Sequence, residues 1–333
     1  MSAPTPPPRL VRAFRADRGD ARARLDLVLL RHLADRPEIS RAEIQRWIGE
    51  GLVKVNGAAA GKPSSRVSTG DEVEVFLPLP PAPRPGLVAQ DMPVAILYED
   101  EHLLAVDKPP GLVVHPTHGY AEGTLVNALL WLARDWGEGC RPGLVNRLDK
   151  GTSGVLLVAK RPEIHAALSR ALRARGAEKE YLAVVYGRTP FSKGRIDLKI
   201  LRDPEDRRRM TTSKTEGRDS ATLYERLAET AGEKGALSLV RCVLLTGRTH
   251  QIRVHLEAQG LPIVGDSVYG APRWKGIAEP ELAALCRDFP RQALHARRLA
   301  LAHPVTGATL EVVAPVPPDL AELLSAAGLA VSG

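Results

Sequence analysis

The sequence predicts an α+β protein in two folded parts. A small α/β module precedes a larger domain with a mixed, largely antiparallel central sheet and flanking helices. Three observations carry this reading. Strand-like and helix-like apolar patterns recur without a regular βαβ rhythm, which disfavours a doubly wound parallel sheet. Pro78 to Pro93 holds six prolines, so it is neither helix nor interior strand and divides the chain. The 333 residues are long for one domain, and 44% hydrophobic with 26% charged residues supplies a sizeable core.

Residues 1–20 are proline-rich and then arginine-rich, and are expected to be a mobile tail. A compact unit is expected over residues 21–77. Leu25, Val28, Leu29 and Leu33 recur at helical spacing. Ser40 and Glu43 form a capping box for a second helix, whose apolar stripe is Ile44, Trp47 and Ile48 and whose stop is Gly51. Strands follow around Asn56-Gly57 and Gly70-Asp71 turns. Residues 78–92 read as a semi-extended linker.

The larger domain is expected over residues 93–318, with 319–333 as a carboxyl-terminal tail. Paired strands are expected at Val94–Tyr98 and Leu103–Val106, with further strands at Val155–Ala159 and Glu178–Tyr186. Pro162 opens a helix carrying Ile164, Leu168 and Leu172, which Gly176 ends. Thr249 is placed to cap a helix ending at Gly260.

The net charge of +7 favours an anionic partner such as nucleic acid. The three cysteines, Cys140, Cys242 and Cys286, form no CxxC pair, which argues for a reducing compartment. No apolar run is long enough to span a bilayer, and the amino terminus lacks a secretory core, so a cytoplasmic protein is expected. The spacing of His115 and His118, or of His250 and His255, fits no zinc-protease pattern. Gly151-Thr152-Ser153-Gly154 is neither a phosphate loop nor a serine elbow.

The segment Pro142-Gly143-Leu144-Val145-Asn146-Arg147-Leu148-Asp149-Lys150-Gly151-Thr152-Ser153-Gly154 is the most informative. Asp149 lies between Arg147 and Lys150, and adjacent cations favour an ionised carboxylate, suited to a nucleophile. An acidic turn with surface ion pairs is the plain alternative.

This segment resembles the signature of the RluA/RluD family of RNA pseudouridine synthases, which usually reads His-Arg-Leu-Asp before a Thr-Ser-Gly stretch. The resemblance continues in order through Asp107-Lys108-Pro109, Gly111 to Pro116, Glu178 to Ala183, Thr246 to Leu256, Gly265-Asp266 with Tyr269-Gly270, Arg291 to Ala296, and His303 to Gly307. It covers essentially all of residues 93–316. It implies a catalytic cleft in which Asp149 is the nucleophile, Tyr181 the pocket tyrosine and Arg253 the aspartate's basic partner, with Arg248 as second candidate. It also implies uridine-to-pseudouridine isomerisation by base flipping, without cofactor or metal. Whether Asp149 attacks sugar or base stays open. The departure is Asn146, where the family most often has histidine; a changed RNA contact is expected there.

The resemblance assigns Arg147 to the flipped-out RNA and adds Lys179 as a contact. Arg248 and Thr249, before a helix start, suit a phosphate, with simple helix capping as the alternative. The basic run Arg207-Arg208-Arg209 with Lys214 suits an RNA backbone or a solvated loop.

Residues from Arg24-Leu25-Asp26 to Gly70-Asp71 resemble the RNA-binding fold named after ribosomal protein S-four. That implies RNA contacts at Arg41, Gln45, Arg46 and Lys54. The expected partner is RNA: large-subunit ribosomal RNA foremost, transfer RNA as the alternative. A monomer is the default. A non-catalytic RNA-binding factor on a synthase scaffold and a nucleoside hydrolase are the competing classes; Asn146 favours the first, and the amino-terminal module disfavours the second.

Overall fold

The computed structural model describes residues 9–35, 39–77, 87–117, 119–173, 176–206, 208–231 and 235–330. The chain divides into two compact units, Met1–Gly86 and Leu87–Gly333. Among the described residues no helix is long and apolar enough to cross a membrane.

The small unit contains β1 (Arg9–Arg15), α1 (Leu25–His32), α2 (Arg41–Gly49), β2 (Val53–Val55), β3 (Ala58–Ala59) and β4 (Glu72–Leu77). Its sheet has the order β1-β4-β2-β3. The capping box forms as the spacing requires. Glu43 N–H donates to Ser40 Oγ at 3.3 Å, and Ser40 N–H donates to the Glu43 carboxylate at 2.9 Å. Asn56 and Gly57, at φ of 51° and 78°, make the tight turn between β2 and β3. Leu25, Leu29, Ile44, Ile48, Val53, Val73 and Val75 form the core.

The expected tail over residues 1–20 is corrected in part. Arg9–Arg15 is a strand paired antiparallel with β4, and the Phe14 ring stacks on His32 at 3.8 Å. The partner strand lies some sixty residues away, so local composition could not reveal it. Residues 1–8, and residues 78–86 of the expected linker, lie outside the described residues.

The large unit begins with β5 (Ala95–Glu99), β6 (Leu103–Lys108), α3 (Leu125–Leu132), β7 (Gly143–Leu144), β8 (Ser153–Ala159) and α4 (Pro162–Ala171). It continues with β9 (Glu178–Tyr186), β10 (Lys193–Asp197), β11 (Lys199–Arg202), β12 (Met210–Ser213), β13 (Ala221–Glu229) and β14 (Leu237–Leu244). The last elements are α5 (Gln251–Ala258), α6 (Pro280–Asp288), β15 (Leu294–Ala302), β16 (Thr309–Val313) and α7 (Pro318–Ala326). The main sheet has the order β10-β13-β14-β9-β15-β8-β6-β5, with β16 on β15 and β7 on β8; β11 and β12 form a separate hairpin. The expected mixed, largely antiparallel sheet is what the chain forms.

Every residue of β8 is buried, because both faces of the sheet are covered. Leu156 and Val158 face a core shared with Leu256 and Leu320, whereas Val155 and Leu157 face Ile164 and Leu168 of α4. The expected carboxyl-terminal tail is therefore a second correction. Leu320, Leu323 and Leu324 of α7 are buried, and Asp319 at its start is bidentate with Arg291 at 2.6 and 2.8 Å. Residues 331–333 lie outside the described set. Residues after the prolines also dock within this unit: Gln90 N–H donates to Asn127 O at 3.0 Å, and Asn127 Nδ2 to Val88 O at 2.7 Å.

Among the described residues the one parallel pairing within the large sheet joins β8 to β15 at Ser153–His295 and Gly154–Ala296. Gly154 has a φ of 109°, and a Cβ there would come within 2.2 Å of Ala296 O. Beside it, the fully buried His295 meets Ser153 Oγ through Nδ1 at 3.0 Å. Burial pulls the His295 pKa down from 6.5 to about 4, with Arg297 and Arg291 reinforcing the shift.

Two outcomes follow. Gly154→Ala is expected to lower stability by about 3 kcal/mol, read as a reduced denaturant midpoint. For His295 the unfolded chain binds the proton more tightly. Its contribution is therefore complete above the unfolded pKa of 6.5 and is lost as pH falls from there towards 4. Melting curves taken across that window are expected to show wild type losing more stability on acidification than His295→Asn.

Candidate active site

Asp149 lies on the turn that leads into β8, and this turn is held from several sides. Thr152 N–H closes it onto Asp149 O at 3.0 Å. Lys150 O accepts from Gly111 N–H at 2.8 Å and from Lys108 Nζ at 3.2 Å. Lys108 is fully buried and also donates to Pro109 O and Leu112 O, at 2.7 and 3.0 Å. Burial, helped by the Arg291 charge, pulls its pKa down to about 7. Arg291 Nη1 donates to Gly151 O at 3.1 Å, and Gln292 Nε2 to Thr152 Oγ1 at 3.0 Å.

Asn146 is tied to the sheet. Its Oδ1 accepts Leu157 N–H at 2.8 Å and its Nδ2 donates to Val155 O at 3.3 Å. In this structure both polar atoms of Asn146, the expected RNA contact, are used by the sheet. An amide side chain offers the donor and acceptor of a peptide, so it prolongs the β7–β8 ladder where β7 has ended.

One oxygen of Asp149, Oδ2, accepts from Arg253 Nη1 at 2.9 Å. Arg253 lies on α5, and its other guanidinium edge is bidentate with Asp266, Nε to Oδ2 at 2.7 Å and Nη2 to Oδ1 at 2.8 Å. The Asp266 side chain is fully buried and also takes the N–H groups of Val268 and Tyr269 on Oδ1. Burial opposes the charge on Arg253, but the hydrogen bonds and charges of Asp266 and Asp149 together raise its pKa above the ordinary arginine value. Tyr181, on β9, lines the same cleft as Asp149 and Arg253, with Thr152, Ile252 and Leu294. Burial, and then the Asp149 charge, push the Tyr181 phenol pKa up, so the hydroxyl keeps its proton. A larger groove bordered by Ile96, Trp136, Lys160 and Arg161 contains none of these residues.

The geometry redistributes the other expected residues. The cation on Asp149 is Arg253, not its chain neighbours: Arg147 is exposed on the cleft's rim, and Lys150 Nζ turns to Tyr120 Oη at 2.7 Å. Arg248 also borders the cleft, but its Nε donates to Asp219 O at 3.1 Å, so the Asp149 pairing falls to Arg253. Thr249 does not cap α5. The residue before the helix is His250, whose side chain makes no capping hydrogen bond, and Gln251 Oε1 accepts Arg248 N–H at 3.0 Å in the preceding loop. Lys179 Nζ donates to Leu172 O at 3.1 Å, at the end of α4 where carbonyls lack helical partners. His255 is occupied at both nitrogens, by Thr222 Oγ1 on one side and by Ser220 Oγ and Leu198 O on the other.

In the small unit, Arg41 and Gln45 converge on the fully buried Asp26, which Arg24 also clamps. Arg46 is exposed, and Lys54 Nζ sits 5.1 Å from the centre of the Phe76 ring. On the β11–β12 hairpin, Arg208 pairs with Asp206, and Arg207 lies outside the described residues. Sequence reasoning noticed Gly265-Asp266 and Tyr269 as motif positions without assigning them work, and it weighed His250 only as a metal ligand, with His255, and set that aside. Their partners come from distant segments.

Residues 102–258, which span Asp149, Tyr181 and Arg253, match the family model described as RNA pseudouridylate synthase; residues 24–73 match that of the S4 domain. The chain is 44% identical over 291 residues to a Xanthomonas campestris protein named ribosomal large subunit pseudouridine synthase D, covering 87% of this chain and 85% of that one. It is 42% identical over 288 residues to a Bacillus subtilis protein named uncharacterized RNA pseudouridine synthase YlyB, covering 86% and 88%. Among solved structures, human RNA pseudouridylate synthase domain containing 4 aligns with a TM-score of 0.58 at 25% identity, over 72% of this chain and 95% of that one. By its sequence and its fold, the chain belongs to the RNA pseudouridylate synthase family and carries an amino-terminal S4 domain.

Proposed function

We propose that this synthase isomerises specific uridines of large-subunit ribosomal RNA, with Asp149 as the group that starts the reaction. The observation that carries the reading is the asymmetry of that carboxylate. Arg253 fixes Oδ2, while among the described residues Oδ1 accepts no hydrogen bond in the cleft that Tyr181 lines. The reaction breaks the N1–C1′ bond of uridine and makes a C5–C1′ bond. N1 gains a proton and C5 loses one, so no oxidant, reductant or energy source enters the balance. The ionised carboxylate supplies the electron pair. The buried Tyr181 ring offers a face to the extruded base, and its protonated hydroxyl a route for proton transfer.

Reaching a base inside a structured RNA requires flipping it out, at a cost of a few kcal/mol. Exposed Arg147 on the cleft rim suits filling or bracing the vacated space. Exposed Arg46 of the small unit suits a phosphate contact. The names of the similar proteins support ribosomal over transfer RNA as the substrate.

Deleting the gene and mapping pseudouridines in total RNA tests this reading. Particular sites in large-subunit ribosomal RNA are expected to disappear, and to return with the wild-type gene but not with Asp149→Asn, whose rate is expected to fall on the order of a thousandfold or more. Restoration by Asp149→Asn contradicts the nucleophile assignment, and loss of transfer RNA sites alone contradicts the substrate. For the small unit, Arg46→Ala is expected to weaken binding of ribosomal RNA and to reduce the slope of log affinity against log salt by about 1, leaving single-turnover chemistry at saturating enzyme unchanged. A slowed chemical step with unaltered binding contradicts the anchoring role.

A further inference from the structure

His250 sits next to the nucleophile in an unusual backbone conformation. Its φ is 55°, the left-handed region that side-chain-bearing residues rarely adopt, and α5 starts at the next residue. The conformation sets the imidazole between two partners. Nδ1 lies 2.7 Å from Tyr269 Oη, and Nε2 lies 3.8 Å from Asp149 Oδ1.

The hydrogen-bond order favours one tautomer of the ring. Met210 N–H donates to Tyr269 Oη at 2.8 Å. The buried Tyr269 hydroxyl, with Met210 already on its oxygen, has its own proton left to place, and His250 Nδ1 is the acceptor within reach. In the neutral ring the remaining proton is therefore on Nε2, the atom facing Asp149. Tyr269 is itself fixed: it is 1% exposed and packs in a small core with Ile200 and Val254, and Arg253 lies 4.9 Å from its ring centre. Oδ1 is the carboxylate oxygen that Arg253 leaves unengaged.

We propose that His250 is a positioning residue of the isomerisation: as a neutral imidazole locked by Tyr269, it directs Nε2–H at Asp149 Oδ1 and aims that oxygen for attack. This rests on the assignment of Asp149 above and extends it to the second carboxylate oxygen. At 3.8 Å the contact is longer than a hydrogen bond, so it leaves the lone pairs of Oδ1 available. A charged ring would instead pair with Asp149 and withdraw it from the substrate.

The surroundings oppose that charge. Burial comes first, and the Arg253 and Arg147 charges add to it, against Asp149 and Asp266, so the His250 pKa is lowered. The hydroxyl proton of Tyr269 occupies the Nδ1 side, and Arg209 lies over the Tyr269 ring, 5.5 Å from its centre. Arg248, the nearest charged residue on the same loop, is turned to Asp219 O.

The test is single-turnover tritium release from an unmodified in-vitro transcript of the host large-subunit ribosomal RNA, labelled at uracil C5, with RNA binding measured in parallel. His250→Asn suits the left-handed backbone but reaches only the Nδ1 position. It is expected to slow the chemical step about tenfold while the RNA Kd stays within about twofold. His250→Gln, whose amide nitrogen extends to the Nε2 position, is expected to recover most of that loss. Wild-type rate is expected to fall on acidification below the ordinary histidine pKa of roughly 6.5, with that step absent in both variants. Tyr269→Phe, which keeps the ring and removes the locking proton, is expected to slow chemistry without weakening binding, and it provides the reading should the position 250 variants fail to fold. Unchanged chemistry in His250→Asn or Tyr269→Phe overturns the proposal, as does a defect confined to RNA affinity or a loss that Gln does not repair. A wild-type enzyme inactive on this transcript overturns the ribosomal assignment instead. The same series is then read on total RNA from the deletion strain, so the two claims fail separately.

Discussion

The site depends on one arginine shared by two carboxylates. Arg253 has a nearly buried guanidinium, and a buried cation is costly unless its donors are met. Asp266 meets two of them in a bidentate pair and is itself satisfied by two backbone N–H groups. The remaining edge of the guanidinium faces Asp149. The direction of that last hydrogen bond is thus set by a residue that does not touch Asp149. The geometry of the Asp149 carboxylate is inherited from the packing of α5 against the Gly265-Asp266 turn.

The backbone of Asp149 is fixed with equal thoroughness by other means. Its turn precedes the most buried strand of the sheet and stands at the parallel seam with β15, where Gly154 admits the Ala296 backbone. Lys108, Arg291 and Gln292 approach the turn from three segments. Arg291 connects it to α7 through Asp319, so this helix is tied to the turn that carries Asp149. Sites that must hold a reacting group within a fraction of an ångström require this kind of support.

Much of this was legible in the sequence, and the misses share a cause. The ordered motifs identified Asp149, Tyr181 and Arg253, and the structure brings all three to one cleft. The Ser40–Glu43 cap and the Asn56-Gly57 turn are local devices and were read directly. What escaped depends on distant partners. Charge reasoning from the chain neighbours Arg147 and Lys150 missed the cation 104 residues away, Arg253, which only the motif resemblance supplied. The place of Asn146 in the β7–β8 ladder also escaped, because no spacing rule reveals a side chain that prolongs a strand ladder. Residues 9–15 form a strand because β4 pairs with them, and α7 is a core helix because its leucines find the main apolar cluster.

The central claim is that Asp266 orients Asp149 through Arg253, and a double-mutant cycle on positions 253 and 266 tests it most directly. The quantity is the single-turnover rate of pseudouridine formation at saturating enzyme. Asp266→Asn is expected to cost about tenfold or more in the wild-type background and almost nothing further once Arg253→Met is present. Losses that simply multiply in the double variant, or an Asp266→Asn enzyme of wild-type rate, would contradict the account.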